Sequence, residues 1–222
     1  MTDKAVKPRH AASLVLTRTL RGELHVLMGR RPPRAVFPEA YVFPGGRLDL
    51  SDGVINPSAP LTQKTLEDMC KRGGCTPLLA QGLATTAIRE TYEETGLMLA
   101  AEGHPGNEEG TWAEFARQRR APSHDQLRFL GRAITPASAP VRFHARFFLA
   151  EGDLLTGTMK SNGELLDLDW YPLHVAREFP AVDVTKFVLA ELDAMQSGEE
   201  RKAPFFRYRR NKPVGQSSVG PK

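Results

Sequence analysis

The sequence is poor in cysteine, with two in 222 residues. Cys70 and Cys75 are too few for a disulfide framework, and no histidine lies near them to complete a zinc site. That usage fits free thiols in a reducing cytoplasm. Long apolar runs are also missing. None would span a membrane, and residues 1–10 lack the apolar core of a secretory signal. The six histidines are scattered without metal-ligand spacing. No internal repeat or sustained heptad is present, which excludes solenoids and coiled coils. The end of the chain lacks acid. Residues 201–222 hold seven Lys or Arg and no Asp or Glu, which leaves 23 basic against 26 acidic side chains in the preceding 200. The formal net charge of +4 is therefore set by the tail. Phe205, Phe206 and Tyr208 between its arginines are a pattern that nucleic acid or polyphosphate can use. The composition favours a solvated terminus over a nucleic-acid arm, with residues 1–10 and 211–222 flexible.

What the chain does have is Arg89-Glu90-Thr91-Tyr92-Glu93-Glu94-Thr95-Gly96-Leu97. On a helix, positions i, i+3 and i+4 share one face, so Glu90, Glu93 and Glu94 point the same way. Like charges at i,i+4 cost an isolated helix roughly 0.2–0.5 kcal/mol. A divalent cation would offset that repulsion. All-carboxylate clusters suit hard ions such as Mg²⁺ or Mn²⁺. A solvated acidic face would present the same residues.

A second stretch, Phe43-Pro44-Gly45-Gly46-Arg47-Leu48-Asp49-Leu50-Ser51-Asp52, lies upstream. Together the two resemble a Nudix box: Gly, five residues, Glu, seven residues, then Arg-Glu-apolar-x-Glu-Glu-x-Gly-apolar. Gly46 opens it and Arg89 to Leu97 close it. Asp52 stands where the pattern has Glu, and Thr91 occupies a usually apolar position. The seven-residue spacer is replaced by Gly53 to Ile88, an insertion of about thirty residues.

The remaining sequence reads as one α/β domain over residues 11–210. Ala11 to Thr19 and Leu24 to Met28 are strands joined by the Arg21-Gly22 turn. Ala40 to Phe43 is a short strand before the Gly45-Gly46 loop. Thr62 to Lys71 is a short helix ended by Gly73-Gly74. Thr76 and Pro77 are the N-cap and first residue of a helix running to about Thr95, with Gly96 as its left-handed cap. Gly82 weakens that helix and argues for a later start. Leu97 to Ala101, Leu127 to Ile134, Val141 to Ala150 and the run beyond Leu165 to Trp170 are strands. Thr111 to Arg119 and Val184 to Met195 are helices. The resemblance implies the Nudix α/β/α sandwich, a mixed sheet between helices. Loop-closure entropy rises slowly with length, so residues 53–76 are expected to loop out, leaving Asp52 beside the start of the catalytic helix.

A narrower resemblance rests on Phe37-Pro38-Glu39-Ala40-Tyr41-Val42-Phe43-Pro44-Gly45-Gly46, the insertion, Ile134-Thr135-Pro136, Arg142-Phe143 and Arg146-Phe147-Phe148. It points to the Nudix subgroup typified by peroxisomal coenzyme A diphosphatase, including bacterial relatives. His144 and Ala145 depart from its usual Asp and Thr, and Ala133 from a common Trp. The resemblance implies Mg²⁺-dependent hydrolysis of a nucleoside diphosphate linked to another group, with coenzyme A or acyl-coenzyme A as substrate. Other dinucleotides such as ADP-ribose or NADH are the alternative, and a non-catalytic nucleotide-binding regulator is a third reading. Glu90, Glu93 and Glu94 would hold the metal, with a Gly45 carbonyl as a further ligand. Glu90 is the first choice for the base, Arg89 orients a carboxylate, and Glu164 matches a loop that supplies an extra ligand or base. Arg30, Arg31, Arg207, Arg209 and Arg210 are candidate phosphate partners. No membrane partner is implied, and dimers are frequent in the family.

Overall fold

The computed structural model describes residues 6–35, 37–198, 201–209 and 212–219. Strand β1 (Arg9–Leu20) and strand β2 (Glu23–Arg30) form the expected hairpin, with Thr17 opposite Val26. Strands β3 (Tyr41–Val42) and β4 (Gly45–Arg47) follow. The Gly-Gly segment is thus a short strand paired to β1 and not a loop. A 3-10 turn (Leu50–Val54) leads to helix α1 (Gln63–Lys71) and helix α2 (Pro77–Thr95). Then come β5 (Ala100–Glu102), α3 (Thr111–Arg117), β6 (Arg120–Pro122), β7 (Arg128–Ile134) and β8 (Phe143–Glu151). The chain continues through β9 (Leu166–Pro172), α4 (Leu173–Ala176), α5 (Asp183–Gln196), β10 (Arg201–Arg209) and β11 (Lys212–Val219).

The main sheet runs β11-β10-β7-β8-β1-β2-β3, with β4 added on β1 and β9 on β2. It is mixed: β1–β8 and β10–β7 are parallel, and the other pairs are antiparallel. Alternation along the central strands buries both faces. Leu14, Leu16 and Leu27 pack with Leu83, Ala87 and Ile88 of α2 and Trp112 and Phe115 of α3. Val15, Val26 and Met28 pack on the opposite face with Val188, Leu189 and Leu192 of α5. The result is the α/β/α sandwich anticipated from the sequence.

Helix α2 starts at Pro77 despite Gly82. A Cβ at Gly82 would lie 3.2 Å from Leu48 Cδ1 and 3.7 Å from Gly53 Cα, so the glycine lets the 3-10 turn lie close against the helix. The insertion does not loop out. Ile55, Leu61 and Met69 are buried in the same core as α2, and Thr65 Oγ1 donates to the Leu127 carbonyl at 2.9 Å. It adds wall to the core, because its apolar residues had a sheet face to cover. A polar linker in its place would uncover that face. Two other expectations change. Arg9 and His10 already belong to β1, and the C-terminal stretch expected to be solvated and loose contains β10 and β11. Backbone pairing to β7 supplies what side-chain hydrophobicity did not announce, and Phe206 is buried against α5. Met1 to Ala5, Arg210, Asn211 and residues 220–222 lie outside the described residues.

Candidate active site

Thr76 caps α2 by accepting from the Leu79 N–H at 3.2 Å, Pro77 occupies the first turn, and Gly96 ends it with φ 70°. This fixed frame aims Glu90 and Glu94 toward β4. The register of β4 on β1, Ser13 opposite Gly45 and Ala12 opposite Gly46, brings the glycine backbone to meet them. A Cβ on Gly45 would stand 2.5 Å from the Ala12 carbonyl oxygen. A Cβ on Gly46 would overlap the Glu90 carboxylate. The Gly45 N–H donates to Glu94 Oε2 at 2.9 Å. Two carboxylates from successive helix turns therefore lie against one glycine pair.

Arg89 holds the other side of the cluster. Its Nε donates to Asp52 Oδ1 at 2.8 Å and its Nη2 to Asp52 Oδ2 at 3.0 Å, a bidentate fork. Nη1 donates to Glu93 Oε2 at 2.9 Å and lies 3.0 Å from Glu90 Oε1, while Nη2 also donates to the Arg47 carbonyl at 3.1 Å. Asp52, 1% exposed, further accepts from Thr86 Oγ1 at 2.7 Å and from the Asp49 N–H at 3.0 Å. Asp52 thus anchors the arginine that positions Glu90 and Glu93. Glu93 Oε1 accepts from the Thr111 hydroxyl of α3.

Burial acts most strongly on Glu94. Burial pushes the Glu94 carboxyl up to about 8; the Gly45 N–H opposes the shift, the charges of Glu90 and Glu164 add to it, and Arg31 opposes it. Glu90 is raised as well, chiefly by burial, with Arg89 pulling the other way. Burial would lower the Arg89 pKa, but the hydrogen bond to Asp52 and the charges of Glu90, Asp52 and Glu93 raise it. Arg89 stays a cation, and Glu94 is a buried acid lacking a positive partner in contact.

No protein-family model matches the chain, and no curated protein matches it either. Solved structures do. The Nudix hydrolase of Alicyclobacillus acidocaldarius is 29% identical, with a TM-score of 0.64 over 83% of this chain and 90% of that one. The chain has the fold of a Nudix hydrolase. The likeness supports a hydrolase. Two further structures share the Nudix fold alone. The Nudix domain of Shewanella oneidensis NrtR, complexed with ADP ribose, is 14% identical with a TM-score of 0.52, over 88% of this chain and 94% of that one. A MutT mutator protein from Bacillus halodurans is 14% identical with a TM-score of 0.50, over 96% and 99%.

Glu90, Glu93 and Glu94 offer oxygen donors only, the chemistry a hard divalent ion takes. Among the described residues no three acidic, histidine or cysteine side chains converge at metal-binding distance. The reason is visible: Glu93 is held by Arg89 and Thr111, and Glu90 by Arg89. Glu94 has only the Gly45 N–H. The donor set fits such an ion once Glu93 and Glu90 trade these contacts for it.

The other candidates divide. Arg31 and exposed Glu164 lie near enough for their charges to be felt at Glu94, and the Arg31 Nε is buried without a partner. Arg30 is engaged by Glu39 and, at 2.7 Å, by Asp167, so it is not free to take a phosphate as expected. Arg207 sits on β10, three strands from β1, with its guanidinium 5.5 Å from the Phe205 ring. It is not brought to the glutamates. Arg209 lies on the same strand, and Arg210 falls outside the described residues. Asp52, Thr86 and Thr111 join the site beyond the residues expected in it. The Asp at the box position was the signal for the first; the threonines carry no sequence signal. Cys70 and Cys75 are free. Among the described residues no helix is long and apolar enough to cross a membrane.

Proposed function

We propose that this protein hydrolyses the pyrophosphate of a nucleoside diphosphate joined to another group, using Mg²⁺ or Mn²⁺. Glu90 and Glu94 pressed on the Gly45-Gly46 backbone carry the reading. Glu94, raised to about 8 by burial, is a site where a cation can replace a proton. Glu90, Glu93 and Glu94 would hold the ion, with the Gly45 carbonyl beside them. When bound, it supplies charge neutralisation for the phosphoryl oxygens. Glu90, raised by burial, is suited to accept the proton of the attacking water. Arg89, fixed by Asp52, orients Glu90 and Glu93. Arg31 and Glu164, whose charges are felt at Glu94, would serve as substrate contact and auxiliary base.

Coenzyme A or acyl-coenzyme A is the substrate this reading favours, supported by the phrase around Phe43-Pro44-Gly45-Gly46 and by the inserted box. ADP-ribose and NADH are the second choice. A regulator without turnover would have little use for all three helix glutamates. We place the enzyme in the cytoplasm. The test is a panel of acyl-coenzyme A compounds and dinucleotides with Mg²⁺ or Mn²⁺, products read by mass. Cleavage at the pyrophosphate that requires metal and disappears in Glu94→Gln supports the reading. Binding of nucleotides without cleavage of any would move the assignment to a regulator.

A further inference from the structure

An open cleft of about 540 Å³ lies beside Glu90, lined by Lys7, Pro8, Arg9, His10, Arg47, Leu48, Asp49, Arg89 and Glu90. Its acids are already engaged. Asp49 Oδ1 accepts from the Ser51 N–H and from the Ser51 hydroxyl, each at 2.8 Å. Glu90 is met by Arg89. Its other cations are not engaged: among the described residues Lys7, Arg9 and Arg47 make no ion pair, although Asp49 lies on the same wall. The fold places them together. Arg47 of β4 stands opposite Ala11 of β1, so Arg9, two residues before Ala11, shares its sheet face one step along.

The back of the cleft is cationic too. Arg146, fully buried, donates through Nη1 to His10 Nδ1 at 2.8 Å. A guanidinium cannot accept, so His10 Nδ1 is the acceptor and its Nε2 carries the N–H. His10 is thereby fixed as a hydrogen-bond donor on the cleft wall. Arg132 and His144 border the same interior, and no carboxylate hydrogen-bonds to Arg146. In a chain whose first 200 residues have more acids than bases, this is a local reversal of sign.

We propose that Lys7, Arg9 and Arg47, with His10 meeting them at the cleft from the other face of β1, form a subsite for a phosphomonoester of the substrate, carried at a distance from the diphosphate that the glutamates address. The inference rests on the hydrolase reading and assigns its substrate class: a nucleotide diphosphate with a further terminal phosphate. It moves the phosphate grip away from Arg30 and the C-terminal arginines. Arginine pairs phosphate oxygens through its planar fork, and a short lysine-arginine set at an open cleft is sensitive to salt.

Coenzyme A and 3′-dephospho-coenzyme A differ by one such phosphate and serve as the paired probes. The wild type should favour the phosphorylated member in kcat/KM, the preference shrinking as salt rises. In Arg9→Ala/Arg47→Ala the ratio of the two kcat/KM values should fall by roughly 10–100-fold, through KM for the phosphorylated member. Calorimetry with adenosine 3′,5′-bisphosphate, run without metal, reads the subsite independently of turnover. Binding should weaken by a similar factor in the double variant and in Lys7→Ala to a lesser degree. A wild type that cleaves both probes equally and a bisphosphate affinity unmoved in the double variant would overturn the subsite and leave the hydrolase intact. Bisphosphate binding that depends on Arg9 and Arg47, in a protein that cleaves no diphosphate, would keep the subsite and reject the hydrolase.

Discussion

Two arginines, one half-buried and one fully buried, solve the same problem in opposite ways. Arg89 meets acids: Asp52 bidentately, Glu93 and Glu90 beyond it, and its pKa is driven up. Among the described residues Arg146 meets no acid. It donates to the carbonyls of Gly73 at 3.1 Å, Gly74 at 3.3 Å and His144 at 2.7 Å and to His10, and burial drives its pKa down, with Arg132 adding to the fall. The first arrangement ties catalytic candidates to each other. The second ties the insertion to β8 and leaves its charge uncancelled next to the cleft. A guanidinium can thus serve as a clamp among anions or as a source of positive potential, and the partners decide which.

The comparison can be broken most severely from the acid side. Glu94→Gln keeps an acceptor for the Gly45 N–H and removes a metal-binding charge. Turnover should fall by roughly 10²–10⁴-fold, measured at saturating Mg²⁺. Mg²⁺ should also raise the melting temperature of the wild type more than that of the variant. Near-normal turnover would remove Glu94 from the site.

Cutting Arg89 tests the clamp. Arg89→Met leaves Asp52 buried without its partner and should cost about 3–5 kcal/mol in urea unfolding. Adding Asp52→Asn should return part of that stability without returning activity. If the double variant is no more stable than Arg89→Met, the uncompensated charge is not the cause. Arg146→Met is the matching cut. It removes the guanidinium donor from the carbonyls of Gly73, Gly74 and His144 and should cost about 1–3 kcal/mol. A loss as large as that of Arg89→Met would erase the distinction drawn between the two.

The last contrast is in pH dependence, and the two sides differ in sign. Without metal, folded Glu94 keeps its proton up to about 8, whereas the unfolded chain releases it near 4.5. In that window the folded state binds the extra proton, so stability falls as pH rises. His144, held down to about 3 by burial and then by Arg146, and His124, held to about 4 by burial, are neutral when folded and protonate near 6.5 when unfolded. Stability from them is lost as pH falls below that value. Excess Mg²⁺ should flatten the alkaline limb and leave the acid limb unchanged. Flattening of both would show that the ion acts elsewhere.

The parts of this molecule that were legible in sequence are those with local causes. Thr76, Pro77 and Gly96 mark the ends of α2 because capping is settled within a turn. The spacing of Glu90, Glu93 and Glu94 is a property of helix period. The hairpin through Arg21-Gly22 is likewise local. What stayed hidden depends on pairing across distance. Strand β10 exists through β7, and its basic composition gave no sign of it. The insertion's burial followed from a bare sheet face that only the assembled fold reveals. Arg30 looked free in part because Asp167, one of its two acidic partners, is 137 residues away. Lys7, Arg9 and Arg47 become one group only through the register of β4 on β1.

The nine paired positions between β1 and β8, from Arg9 with Phe143 to Thr17 with Glu151, have a consequence for the order of assembly. A chain emerging from the ribosome can close the β1–β2 hairpin early, since that contact is short-range. The other edge of β1 then has no parallel partner until β8 has been made. At about 5–20 residues per second the wait is on the order of ten seconds. During it the nascent chain exposes a long, apolar, unpaired strand edge, the kind of surface that other chains capture. The glutamate helix is complete well before β8 is synthesised, so its docking surface is finished only after Glu90, Glu93 and Glu94 have left the ribosome.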